Sequence, residues 1–213
     1  MKKYNLLIIG LLFFVNVSIG QKIKGGFGVE LNQTRFRQFA PTITVPFENP
    51  HRPGLGLSTY IFIDYSISNS FTIQIAPLIG FYNTKSEVTS SYQMNIYGFR
   101  LESLLTYKKL RFGCGLEYNR LYKILGTTER GTTDWTFFAH RRNLYGPTVS
   151  LGYTVFPTST LYFRSSFFIH DFYSSGALDY NGNIVGPVEI TPLVFSIGVD
   201  YTLDFSKLKN GKR

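Results

Sequence analysis

The sequence predicts an all-β fold: one eight-stranded antiparallel up-and-down transmembrane β-barrel, preceded by an export leader. Three observations carry this expectation. Period-two alternation of apolar and polar residues recurs in eight segments, and the stretches between them alternate strictly short and long. The composition is also unusual, with 17% aromatic but only 16% charged residues among 213, against about 25% charged in ordinary globular domains. That length suffices for one domain. No internal repeat, linker or second domain interrupts it.

The leader comes first. Met1 to Asn5 is a short basic start, Leu6 to Val15 is unbroken apolar, and Ser18 and Gly20 supply small residues before Gln21. This three-part pattern reads as a secretory signal peptide over 1–20, with Gln21 as the mature N-terminus. The apolar run falls well short of the roughly 20 residues a spanning helix needs. The barrel is assigned to 21–205 and a basic tail to 206–213.

The strands follow by phase. The first sets Ile23, Phe27, Val29 and Leu31 against Lys24, Gly26, Gly28, Glu30 and Asn32. The second sets Leu55, Leu57, Ile61, Ile63 and Tyr65 against Gly56, Ser58, Asp64 and Ser66. The third sets Phe71, Ile73, Ile75, Ile79 and Phe81 against Thr72, Gln74, Ala76 and Gly80. In the fourth, Tyr97, Phe99, Leu101, Leu105 and Tyr107 oppose Gly98, Arg100, Glu102 and Thr106. The fifth changes parity, with Leu110, Phe112, Cys114, Leu116 and Tyr118 opposing Arg111, Gly113, Gly115, Glu117 and Asn119. The sixth alternates from Tyr145 to Val155, and the seventh sets Leu161, Phe163, Phe167 and Ile169 against Tyr162, Arg164, Ser166 and His170. The eighth, Leu193 to Phe205, alternates over about thirteen residues, enough for the roughly 9–11 of a tilted membrane strand.

Ser68-Asn69-Ser70, Lys108-Lys109 and Pro157-Thr158-Ser159 are turn material. The stretches 34–54, 83–91, 123–142 and 174–190 are expected as longer polar loops. Short turns on the periplasmic side, long loops outside and an even strand count fit an outer-membrane barrel.

A soluble eight-stranded barrel of lipocalin type is the alternative. It needs a charged exterior around an apolar lining. Here the polar face is small, rich in Gly, Ser and Thr, as a narrow eight-strand lumen requires. The other face is bulky, and Tyr65, Phe81, Tyr97, Tyr107, Tyr145 and Phe205 sit near strand ends as an interfacial girdle. The membrane barrel is therefore favoured.

Ser196-Ile-Gly198-Val-Asp-Tyr201-Thr-Leu203-Asp-Phe205 closes the last strand. With the pattern over 21–205, it resembles the small outer-membrane barrel families, OmpA/OmpX-like barrels and the PorT-like barrels of Bacteroidota. The resemblance implies that Gly198, Tyr201, Leu203 and Phe205 form an assembly signal read by the barrel-insertion machinery. Many such proteins stop at the terminal aromatic, whereas this chain continues through Ser206–Arg213. PorT-like relatives are associated with type IX secretion, which makes a secretion or envelope-assembly component the alternative function.

The expected lumen network is Glu30, Asp64, Arg100, Glu102, Arg111, Glu117, Arg164, Asp200 and Asp204, with Lys24 nearby. Opposite charges in so narrow a space should pair, because an unpaired buried charge costs several kcal/mol. The three arginines can bind carboxylates bidentately. A salt-bridged plug is favoured over a gated pore.

No catalytic residue is assigned. His51, His140 and His170 are scattered; His170-Asp171 with Ser174 and Ser175 is the one cluster worth naming. It does not match the His-x-Ser arrangement of lipid A deacylases and reads as a polar rim. No metal-ligand spacing, phosphate loop or cofactor motif is present. Cys114, the sole cysteine, forms no internal disulfide.

In the third loop, Trp135, Phe137 and Phe138 precede Arg141 and Arg142, residue types enriched at binding hot spots. Pro41 to Pro50 is a second, proline-punctuated loop candidate. Without the two leader lysines, 20 basic residues face 13 acidic ones, about +7. The bases are scattered and fit membrane headgroups rather than nucleic acid. The sequence thus points to a non-enzymatic, plugged outer-membrane barrel acting as a structural or interaction subunit. Its expected partners are outer-membrane lipid and lipopolysaccharide, the insertion machinery and other outer-membrane proteins. A lipid A-modifying enzyme and a narrow pore rank lower.

Overall fold

The structure, a computed structural model, describes residues 23–39, 51–86, 91–128, 131–134, 136, 142–169, 173–178 and 184–203. Its strands are β1 (Ile23–Phe39), β2 (His51–Ser66), β3 (Phe71–Ser86), β4 (Ser91–Tyr107), β5 (Leu110–Thr128), β6 (Gly131–Asp134), β7 (Asn143–Phe156), β8 (Ser159–Phe167), β9 (Tyr173–Leu178) and β10 (Ile184–Leu203). Eight of them form a closed antiparallel ring in the order β1-β2-β3-β4-β5-β7-β8-β10. The first and last strands close it, running from Gly25↔Leu203 to Phe39↔Glu189. Closure removes both sheet edges, so the ring's backbone donors and acceptors are satisfied by neighbouring strands even within a bilayer.

One end of the ring carries tight connections. Tyr107 pairs directly with Leu110 across Lys108-Lys109, and Lys108 takes the left-handed conformation (φ 56) that such a turn demands. Phe156 pairs with Ser159 across Pro157-Thr158. Ser68 caps the remaining turn by accepting from the Phe71 amide at 3.1 Å. The opposite end carries the long connections.

The strands run further toward that end than alternation predicted. The segments expected as loops at 34–54, 83–91, 123–142 and 174–190 are partly strand: β1 continues to Phe39, β4 begins at Ser91, and β5 reaches Thr128. The extensions also include β6, paired to β5, and β9, paired to β10, neither of which alternation revealed. Beyond the apolar belt, ladder hydrogen bonds still hold, but neither face must be apolar. Period-two patterning therefore fades while the strand goes on.

Side chains sort inside-out relative to a soluble protein. Leu55, Ile61 and Ile169 are 70, 65 and 63% exposed, whereas Glu30, Arg100, Glu102, Glu117 and Arg164 are buried. Outward residues are predominantly apolar over Ile23–Leu31 on β1, Tyr107–Tyr97 on β4, Leu110–Tyr118 on β5 and Leu203–Leu193 on β10. Each run is about the 9–11 residues that a tilted strand needs to cross hydrocarbon. Tyr97, Tyr107 and Tyr145 are exposed at the margins of this belt, with Tyr153, Phe156 and Tyr201 adding to the girdle. Tyr65 and Phe81 are half-exposed, and Phe205 lies outside the described residues. No face of the ring could be left in water at such apolar density; the barrel spans a membrane.

Candidate functional site

The interior is built from the inward phase of all eight ring strands, and its middle is charged. On β4, Arg100 points its Nε to Glu117 of β5 and its Nη2 to Glu30 of β1, both at 3.0 Å. From β8, Arg164 reaches Glu30 through Nη1 at 2.8 Å and Glu102 of β4 through Nη2 at 3.0 Å. Its Nε also approaches the second Glu102 oxygen at 3.4 Å, so that pair alone is bidentate. Arg100 instead bridges two carboxylates from different walls.

Neutral donors complete the lattice. Glu117 accepts from Ser166 of β8 at 2.8 Å, from Asn119 of β5 at 2.7 Å and from Tyr82 of β3 at 3.2 Å. Glu102 accepts from Ser150 of β7 at 2.9 Å, and Glu30 from Tyr162 at 3.0 Å. The Arg100 and Arg164 guanidiniums lie 5.3 and 5.7 Å from the Tyr60 ring centre on β2. The Tyr60 hydroxyl stands 2.6 Å from that of Tyr162 and donates to Asp200 of β10. Every ring strand thus contributes to one continuous network.

A second pair lies nearer the tight turns. Arg111 Nη2 meets Asp64 Oδ2 at 3.1 Å, and Gln74 donates to Asp64 Oδ1 at 2.9 Å. The structure therefore brings eight of the nine expected lumen residues inside; Asp204 lies outside the described residues. Asp200 is partnered by a tyrosine rather than an arginine. Five carboxylates face three guanidiniums here, and hydroxyl and amide donors meet the surplus negative charge, as buried acceptors require.

Toward the long-loop end, the lumen turns apolar. Tyr82, Met94, Ile96, Leu121, Leu144, Phe168 and Val194 are buried there, with Tyr82 opposite Met94 and Ile96 opposite Leu121 on adjacent strands. The expectation of a small polar lumen face needs correction on this point. Tyr60, Phe62 and Tyr82 are large and inward-facing, and glycine elsewhere makes room for such rings. A Cβ at Gly28 would collide with the Tyr60 ring, and one at Gly198 with the Tyr162 ring. The signal for Tyr60 and Phe62 was present, since they share parity with Ser58 and Asp64; sorting by polarity hid it.

A cavity of about 20 Å³ lies beside Arg111, lined also by Gln74, Leu104, Ser150, Arg164 and Asp200. It has room for about one water molecule. Among the described residues no His, Cys, Asp and Glu cluster has metal-holding geometry. His140, His170 and Asp171 lie outside the described residues, and the side chains of His51, Ser174 and Ser175 are likewise outside them. Cys114 is free and faces outward.

Of the third-loop candidates, Trp135, Phe137, Phe138 and Arg141 fall outside the described residues. Arg142 is exposed; its carbonyl accepts from the Leu121 amide at 2.7 Å and its guanidinium donates to the Thr136 carbonyl at 3.4 Å. In the expected assembly signal, Gly198 faces the lumen. Tyr201 and Leu203 face outward, with Tyr201 5.3 Å from the Phe27 ring across the closure seam.

A closed eight-strand ring with an outward apolar belt is the architecture of the small outer-membrane barrels of OmpA/OmpX type. No protein-family model and no curated relative matches the chain. Among solved structures it is similar to Ail, the attachment invasion locus protein of Yersinia pestis. The TM-score is 0.45 at 8% identity, over 85% of this chain and 99% of that one. Neisserial surface protein A gives a TM-score of 0.45 at 13% identity, over 83% and 97%. The outer membrane protein OprG from Pseudomonas aeruginosa gives 0.42 at 10% identity, over 86% and 95%.

Proposed function

We propose that this chain is a non-enzymatic outer-membrane scaffold whose lumen is plugged and whose long-loop end is presented at the bacterial cell surface to bind other envelope proteins. One observation carries the reading: the Glu30–Arg100–Glu117 and Glu30–Arg164–Glu102 lattice joins four strands across the middle of the lumen, and Tyr60, Tyr82, Ser150 and Asp200 extend it to the other four. A lumen filled in this way supports a plug over a pore, and its central carboxylates are engaged by arginines rather than presented to a substrate. What remains for contact is the rim and the loops, where barrel proteins place their binding residues.

The third loop is the proposed contact, with Trp135, Phe137, Phe138, Arg141 and Arg142 as anchors. A membrane machine for secretion or envelope assembly is the kind of complex such a subunit would join. The test is affinity purification from native outer membranes in mild detergent, with native size analysis. The wild-type barrel is expected in a complex larger than itself. The Trp135→Ser/Phe137→Ser/Phe138→Ser variant is expected alone, yet still heat-modifiable on gels and so still folded. A monomeric wild type, or a complex indifferent to the triple change, overturns the reading. Altered lipid A mass on expression would instead favour an enzyme.

A further inference from the structure

Above the apolar belt, the outward face of the barrel is uneven. On β5 the outward residues Leu110, Phe112, Cys114, Leu116 and Tyr118 give way to exposed Arg120. A β-bulge follows: Asn95 pairs with Lys123 but Ile96 with Leu121, leaving Tyr122 as the extra residue. Bulges re-aim side chains. Here Tyr122 and Lys123 both become exposed, and inward phase resumes at Ile124. On the neighbouring wall Arg120 pairs with Asn143, and exposed Arg142 immediately precedes it.

Two of these cations, Lys123 and Arg142, lie near the carboxylate of Asp134. Asp134 is held below the usual carboxylate range first by its side-chain and backbone hydrogen bonds from Thr136, then by Lys123 and Arg142. Among the described residues of the patch, Arg120, Lys123 and Arg142 outnumber this one carboxylate. Directly toward the belt lie aromatic rings: Tyr97 is 5.9 Å from Tyr122, and Tyr118 is 5.5 Å from Phe99. Elsewhere around the ring, the described outward residues at this height are mainly neutral (Gln33, Asn83, Gln93 and Thr191). Arg35 on β1, four strands away, is the exception.

We propose that the β5–β7 wall binds a phosphorylated saccharolipid of the lipid A type. Arg120, Lys123 and Arg142 would take its phosphates, and Phe99, Tyr97 and Tyr118 would lie along its acyl chains. The height is right, because Arg120 is one outward step, roughly 7 Å along the strand, beyond Tyr118 at the belt margin. The spread is right as well. Two cations at different levels of β5 and a third just before β7 suit an anion with separated phosphates better than a single phosphodiester. Charge-assisted bonds to phosphate oxygens supply the attraction. The inference rests on the surface-facing orientation of the long-loop end adopted above.

The test is native mass spectrometry of the folded, delipidated barrel in neutral detergent, titrated with bisphosphorylated lipid A and, separately, with phosphatidylglycerol. One lipid A is expected per barrel, with phosphatidylglycerol retained about tenfold less well. Arg120→Gln/Lys123→Gln/Arg142→Gln is expected to weaken retention about tenfold or more, whereas Arg35→Gln stays within about twofold of wild type. Unboiled mobility on gels verifies that each variant is folded, and Arg120→Lys/Arg142→Lys, which keeps the charge, is expected to retain most binding. Equal retention of lipid A by the triple variant, equal retention of phosphatidylglycerol by the wild type, or an equal loss in Arg35→Gln overturns the proposal. Loss of protein partners through the third loop leaves this measurement unchanged, so the two readings fail separately.

Discussion

The middle of the lumen and its long-loop end solve one packing problem by different forces. At mid-height, Glu30, Arg100, Glu102, Glu117 and Arg164 fill the barrel through short, directional bonds between opposite walls. Toward the loops, Met94, Ile96, Leu121, Leu144, Phe168 and Val194 fill it with buried apolar surface. Directional partners specify register, since a slip of one residue would turn every charge of a strand outward into lipid. Apolar contacts specify volume and little else. The difference teaches that the charged layer constrains register, while the apolar layer fills volume above it.

The two layers should therefore respond differently to mutation, and equilibrium unfolding by urea in lipid vesicles reads the difference. The largest effect is expected from Arg164→Met, which leaves Glu102 and Glu30 underpartnered; breaking such a buried pair costs about 3–5 kcal/mol. Leu121→Ala in the apolar layer is expected to cost about 2–4 kcal/mol through the cavity it opens. Shape-conserving changes sharpen the contrast. Glu102→Gln keeps volume but removes the charge that Arg164 binds, and about 1.5–3 kcal/mol should be lost. Met94→Leu keeps volume where only volume counts, and less than about 1.5 kcal/mol is expected. If Met94→Leu costs as much as Glu102→Gln, the layers do not differ as described.

Much of this was legible in the sequence because a membrane barrel obeys one strict rule, strand parity. Parity placed Glu30, Arg100, Glu102, Glu117 and Arg164 inside and Phe27, Leu101 and Phe163 outside. It could not say which arginine meets which carboxylate. Those partners come from strands far apart in the chain, as Glu30 and Arg164 show, and strand tilt and stagger set their height. Parity also fails at a bulge: beyond Tyr122 the inward residues of β5 change from odd to even, so β5 reads as ending near Asn119. The apolar layer was hidden for a chemical reason. A narrow lumen packed with side chains can hold Met94 or Phe168 as readily as Ser166, so polarity alone does not mark the inward face there. For β6 and β9 neither face is constrained, and nothing in the pattern announces them.

The most direct test of the proposed plugged lumen is single-channel recording of the purified, heat-modifiable wild-type barrel in planar bilayers bathed in concentrated potassium chloride. No stable conductance steps are predicted, because the lattice about Arg100 and Arg164 occupies the mid-section of the lumen. Reproducible steps from the folded wild-type protein would contradict the account and make the lumen a pore.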